Sequence, residues 1–515
     1  MAGHTQPINP LPGVSAAVLV AALILGTLFM VALRAEAGGG FGPADWSALR
    51  FTLLQATLSA LLSAGLAIPV ARALARRRFP GRRALIALLG APFILPVIVA
   101  ILGLLHVFGR AGWVSEALGI LGLPPIQIYG LHGVVLAHVF FNLPLATRLI
   151  LQGWQEIPAE RFRLAAQLGC EGLAMFRLIE LPMLRRILPG VLAVIFAICL
   201  TSFAVALTLG GGPRATTIEL AIYQAFTYDF DLGRAALLSA LQLVLTATAA
   251  LAALRFSQGE GFGTGLNRAI RRWDGGTPVL DAFWIIAAAA FLLLPLASVT
   301  ISGIAGLFEM PALVFRAAVI SIFVAAASTV VLLLLALPMA TAIATGRYGI
   351  VELGGLLGLA ASPLVIGTGL FILIRPLANP TTLALPVTAL VNAIMALPFA
   401  LRILVPAARD TLERHGRLAL SLNMNNWSFF LRVMLPRLRP QIGFSAGLTA
   451  ALSMGDLGVI ALFADAQIAT LPLQIYRLMG AYQMQAAAGG ALLLLILSMG
   501  VFWILDRGGR WHVEA

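Results

Sequence analysis

The stretch RLAAQLGCEGLAMFRLIELP at residues 163–182 returns 254 positions later as RLALSLNMNNWSFFLRVMLP at 417–436. Aligned without a gap, seven of the twenty positions are identical: Arg163/Arg417, Leu164/Leu418, Ala165/Ala419, Leu168/Leu422, Phe176/Phe430, Leu181/Leu435 and Pro182/Pro436. Chance matching in so biased a composition gives about one or two, so the chain reads as an internal duplication.

Both copies interrupt a chain that is 60% hydrophobic and only 11% charged, with a mean hydropathy of +0.97. The water-facing surface of a soluble domain cannot be built from these residues. Apolar runs of about 18–25 residues recur along the chain, each long enough to cross some 30 Å of hydrocarbon as a helix. Every backbone amide must be satisfied inside lipid, and the runs are too continuous for barrel strands. The expected class is therefore an all-α polytopic membrane protein.

About twelve spans are expected, near 14–34, 51–71, 84–108, 131–152, 188–209, 232–254, 280–302, 314–344, 350–374, 383–405, 442–463 and 485–505. The first is read as a retained span, because MAGHTQPINP lacks the basic residues of a signal peptide. A Gly-rich, basic segment separates two sets of six. This gives a first repeat at 1–255 with its polar loop near 153–187, a cytoplasmic linker at 256–279, and a second repeat at 280–515 with its loop near 406–441.

All 34 basic side chains are Arg, and 25 of them fall in alternate loops and their edges. The positive-inside rule then places both termini, and both polar copies, in the cytoplasm. An even number of spans per half makes the duplication a parallel repeat about an axis along the membrane normal, with a pathway at the seam. Two prolines and an arginine repeat as well: Pro69/Pro338, Pro144/Pro398 and Arg148/Arg402. The net charge of +13 thus reports topology, not nucleic-acid binding. Without Lys no Walker A phosphate loop can form, so any driving ATP is bound by another subunit. Neither Cys170 nor Cys199 has disulfide or metal-site company, and the six His residues show no ligand spacing. No metal is expected.

Within the first polar copy, Phe162, Leu164, Ala165 and Leu168 keep helical periodicity up to Gly169, and a second amphipathic segment runs on to Pro182. Gly readily adopts the left-handed conformation that ends a helix, and Asn423 stands there in the second copy. Each copy is expected to be a pair of short helices joined at a sharp bend. Small Ala165, Ala166 and Ala419 offer close approach to a partner, with Arg163 and Arg417 as flanking charges. Two equivalent copies suit a two-fold symmetric partner better than mere connectors would.

This pattern resembles the EAA loop of ABC-importer permeases: EAA, three residues, Gly, and a closing Ile/Leu-x-Leu-Pro. Here it reads RLAAQLG…IELP and RLALSLN…VMLP, with Arg in place of the motif's Glu and Asn423 for its second Gly. The resemblance implies a type I importer (MetI-like) fold in a bacterial inner membrane. It also implies an ATPase dimer that binds ATP and Mg, and a periplasmic substrate-binding protein. The implied coupling residues are Arg163, Leu164, Ala165, Ala166 and Gly169, with Arg417, Leu418, Ala419, Leu420 and Asn423. Fusion of two halves is similar to the thiamine and ferric-iron importers, and the stretches at 207–242 and 451–483 resemble the thiamine permeases.

Four residues are pathway candidates. Asp456 falls inside the eleventh expected span, where an unpartnered carboxylate costs a few kcal/mol. Tyr223, Tyr228 and Tyr476 lie near span ends, where aromatic faces could meet a cationic ring. In the register of Tyr223/Tyr476, the residue opposite Asp456 is Phe203. An ion-driven secondary transporter is the rival reading, yet the loop ALARRRFPGRR lacks the acidic residue expected of that class. An intramembrane enzyme would need clustered His, Asp or Glu within the spans.

Overall fold

A computed structural model describes residues 8–35, 40–90, 94–170, 172–212, 215–256, 278–346, 349–463 and 468–510. Helices dominate them, and no strand occurs among the described residues. The first half runs α1 (Leu11–Ala35), α2 (Pro43–Arg76), α3 (Arg82–Leu88), α4 (Val97–Phe108), α5 (Trp113–Ile120), α6 (Leu131–Glu156), α7 (Ala159–Gln167) and α8 (Gly172–Met175). A π turn at Phe176–Glu180 leads into α9 (Leu181–Leu200), then α10 (Phe203–Leu209), α11 (Ile218–Thr227) and α12 (Leu232–Phe256).

The second half follows the same order: α13 (Pro278–Gly306), α14 (Ala312–Ala344), α15 (Gly349–Ala360), α16 (Pro363–Ile374), α17 (Ala384–Ser421) and α18 (Asn426–Phe429). A matching π turn at Phe430–Met434 precedes α19 (Leu435–Arg437), α20 (Arg439–Gly455), α21 (Gly458–Phe463), α22 (Leu471–Gly480) and α23 (Met484–Arg510). The expected linker at 256–279 lies almost wholly outside the described residues.

Ten helical stretches among the described residues are long and apolar enough to span a membrane, and α15 with α16 adds an eleventh as a pair bent by 96°. The expectation of about twelve continuous spans is corrected at four places: in the run near 84–108 α3 ends at Leu88 and α4 begins only at Val97, and the run near 350–374 breaks at Ala361 and Ser362. The run near 188–209 unwinds at Thr201 and Ser202, and the run near 442–463 unwinds at Asp456 and Leu457. Two-residue breaks barely change local hydropathy, so an apolar window cannot show them. Unwound backbone survives at membrane depth only where protein covers it. Here Thr201, Ser202 and Asp456 are half-buried and Leu457 is 2% exposed.

The halves interlock. Helix α1 packs on α14 and α16 of the second half, and α13 packs on α2 and α4 of the first. Each half thus lends its first helix to the other. Small residues permit the approach, as they do between helices in lipid. Gly103 of α4 faces the Pro295 carbonyl of α13, and Gly369 of α16 faces the Thr27 backbone of α1; a Cβ at either glycine would overlap that backbone.

A second pair of contacts repeats across the halves. Thr52 Oγ1 accepts from the Ile218 amide at 2.9 Å, and Ser321 Oγ accepts from the Leu471 amide at 2.8 Å. These amides open α11 and α22, where the first turn has no intrahelical acceptor. Replacing Thr52→Val or Ser321→Ala strands a buried donor, at a cost of about 1–3 kcal/mol. The thermal midpoint of the detergent-purified protein should fall in each variant, and unchanged midpoints in both would refute the assignment.

Candidate functional site

At the Arg-rich end, each half carries one bent loop built from the duplicated motif. Helix α7 closes at Gly169, whose φ is +68°; the equivalent Asn423 has φ +49°. The bonds that finish the turn are the same in both loops. Cys170 N donates to Ala165 O and Met424 N to Ala419 O, each at 2.9 Å, while Gly169 N reaches Ala166 O and Asn423 N reaches Leu420 O. Both are Schellman closures, which require a left-handed residue where Gly and Asn stand.

The loops differ in how they begin. Ile157 and Pro158 separate α6 from α7, whereas α17 runs unbroken through 38 residues past Pro398 and Pro406. The expected pair of short helices therefore holds in the first copy, while in the second the leading helix is the end of a long span.

The side chains divide into an inner and an outer face. Arg163, Leu164 and Gly169 are exposed, as are Arg417, Leu418, Leu420 and Asn423. Ala165 and Ala166 are half-buried, and Ala419 is 2% exposed, packed with Phe429, Met434 and Leu438. That corrects the expectation at Ala419 alone, where the helix turns the methyl into the protein's own core; Ala165 and Ala166 keep partial exposure. What projects instead is a matched set of leucines. Leu164 and Leu418 are 58% and 57% exposed, and Leu168 and Leu422 are 72% and 64%. Exposed apolar residues at equivalent places on both loops mark a contact surface better than scattered ones do.

The pathway candidates gather along the seam. Tyr223 stands with its ring centroid 5.2 Å from that of Phe203 and 6.0 Å from that of Tyr228. Tyr476 packs against the same apolar cluster, which joins residues of both halves. Asp456 is not within a helix but at the break between α20 and α21, where its Oδ1 accepts from the Gly458 amide at 3.2 Å. Its Oδ2 has no hydrogen-bond partner among the described residues. The breaks align Asp456 with Ser202, one position from Phe203, in the 254-residue register of the loops. Irregular backbone at a repeat seam is where transport folds commonly put substrate groups.

Glu219 escaped the sequence reading although it lies in the quoted stretch. It is fully buried on α11, and Gln242 Nε2 donates both to its Oε1 and to the Leu200 carbonyl freed by the helix break, each at 2.9 Å. A lone carboxylate in an apolar run was the available signal. A cavity of about 560 Å³ bordered by Phe51, Leu54 and the turn Gly210 to Gly212 shares none of these seam residues. No group of three metal-ligating side chains occurs among the described residues.

A duplicated helical bundle with one bent, motif-bearing loop per half defines a permease of the ABC-importer class. No family model matches the chain. It is 39% identical to the thiamine transport system permease protein ThiP of Salmonella typhimurium over 534 residues, covering all of both chains. It is equally 39% identical to the ThiP protein of Brucella abortus, over 98% of this chain and 96% of the relative. A shorter likeness, 30% over 138 residues, reaches the sulfate transport system permease CysW of Synechococcus elongatus and covers 27% of this chain and 48% of that one. The chain belongs to the family of thiamine transport system permease proteins.

Proposed function

We propose that this protein is the transmembrane subunit of an ATP-driven importer that carries thiamine or a thiamine phosphate across the bacterial inner membrane. The observation that carries this reading is the end-to-end likeness to permeases named for thiamine transport. The paired loops supply the mechanism. With both termini in the cytoplasm, as the Arg distribution favours, the two leucine-bearing loops face the partner ATPase dimer, which binds ATP and Mg. Closure of that dimer would draw the loops together and rock the halves about their seam. A periplasmic binding protein would deliver substrate to the opposite face. No reacting group is needed in this chain, because the partner hydrolyses the ATP.

At the seam, a permanently cationic aromatic ring such as a thiazolium suits tyrosine faces and a carboxylate. Asp456→Asn keeps the oxygen that accepts from Gly458 and removes only the charge. Uptake of labelled thiamine by proteoliposomes holding the full complex should fall about tenfold, equivalent to some 1.4 kcal/mol of lost transition-state stabilisation, with assembly intact. Undiminished uptake would reduce Asp456 to a turn-forming residue. The function itself is tested with the unaltered complex: uptake should require ATP. Uptake driven by an ion gradient without the ATPase would overturn it.

A further inference from the structure

The two cytoplasmic loops are anchored by different chemistry. In the first, Arg72 Nε donates to Glu180 Oε2 at 2.6 Å, and its guanidinium lies 5.4 Å from the centroid of the Phe176 ring. Arg72 therefore holds both ends of the π turn Phe176–Glu180. Arg76 lies 3.9 Å from Glu180 Oε1 and 3.8 Å from Asp281 Oδ1, while Arg77 Nε donates to Asp281 Oδ2 at 2.7 Å. Glu180 is fully buried and Asp281 is 5% exposed. Asp281 occupies the first turn of α13, where the helix dipole favours a negative charge. Since α13 belongs to the opposite half, the cluster runs from the first loop, through α2, into the second repeat.

In the second half the chain keeps the route and changes the contact. The 269-residue register of Thr52/Ser321 puts Thr341 and Thr345 where the first half has Arg72 and Arg76, and the 254-residue register of the loops puts Met434 in place of Glu180. Met434 is buried with Phe429, Ala419 and Leu438, and that cluster includes Ile8, just ahead of α1. Each loop thus shares a cluster with the leading end of the other half's first helix, one joined by charge through Arg76 and one by apolar surface. Apolar contact is non-directional and tolerates sliding. A buried carboxylate cannot leave its arginines without stranding a charge, so the first link is stiff and the second compliant.

We propose that Glu180 is a positioning residue for coupling: with Arg72 and Arg76 it passes displacement of the first loop to Asp281, and so to α13 of the opposite half. This rests on the ATP-driven reading above, but the link can be tested without any partner. In the purified permease, Glu180→Gln should speed hydrogen exchange both in the first loop and at the start of α13. Faster exchange confined to the loop would overturn the link.

In the reconstituted complex, Glu180→Gln and Asp281→Asn should each lower substrate carried per ATP hydrolysed by about 10-fold without loss of assembly. The triple variant Arg72→Thr/Arg76→Thr/Glu180→Met, which copies the second half, guards against misfolding of the single variants. It should restore thermal stability but not coupling. A triple variant that couples like the unaltered protein shows that the charges merely fill space, and the proposal fails. An unaltered complex with no ATP-driven uptake would strike the functional reading and leave the exchange result standing.

Discussion

Aspartate at both Leu164 and Leu418 should abolish ATP-driven uptake and weaken the permease–ATPase complex by about 10²–10⁴-fold. The estimate follows from burial. Covering one leucine is worth about 1.5–3 kcal/mol, the two together about twice that, and 1.4 kcal/mol is a factor of ten. Both side chains project more than half exposed, so the protein's own core loses nothing and membrane insertion should be normal. Single variants should fall between, and each half should contribute similarly because the two exposures match. Co-purification of the ATPase with the double variant at undiminished yield would remove the outer leucine face from the docking account.

Valine at Gly103 or Gly369 should act on assembly of the fold instead. Each glycine faces backbone of a helix lent by the other half, and backbone cannot rotate away as a side chain can. Overpacking of this kind typically costs about 1–3 kcal/mol, and more where nothing can shift. The double variant should lose about 2–6 kcal/mol if the two sites add, a large share of a typical margin of about 5–15 kcal/mol. The expected readout is loss of monodisperse protein after extraction, with each single variant showing a lowered melting midpoint. Two variants as stable as the unaltered protein would mean that the first helices can move aside.

Much of this architecture was legible in the residues themselves. The gapless repeat at 163–182 and 417–436 located both bent loops, and the Gly169/Asn423 exchange predicted the left-handed residue that ends each helix. Hydropathy placed most spans because a helix in lipid must be apolar along its whole length. It failed at Thr201, Ala361 and Asp456, where two unwound residues are diluted by apolar neighbours. Helical periodicity also misled at Ala419. A small residue beside a charge reads equally well as a docking surface or as close packing, and only the neighbouring Phe429 and Met434 decide. Partnerships such as Gln242 with Glu219, or Arg77 with Asp281, arise from helix packing between distant segments and leave no local signature.

The exchange of first helices bears on how such a molecule could have arisen. If each repeat had once been a free polypeptide, α1 and α13 would already have served as reciprocal clasps, and two like copies could have paired as readily as two unlike ones. Continuity between Phe256 and Pro278 removes that choice. Only one combination can then form, at a strict one-to-one ratio, leaving each lobe free to diverge without risk of meeting its own twin.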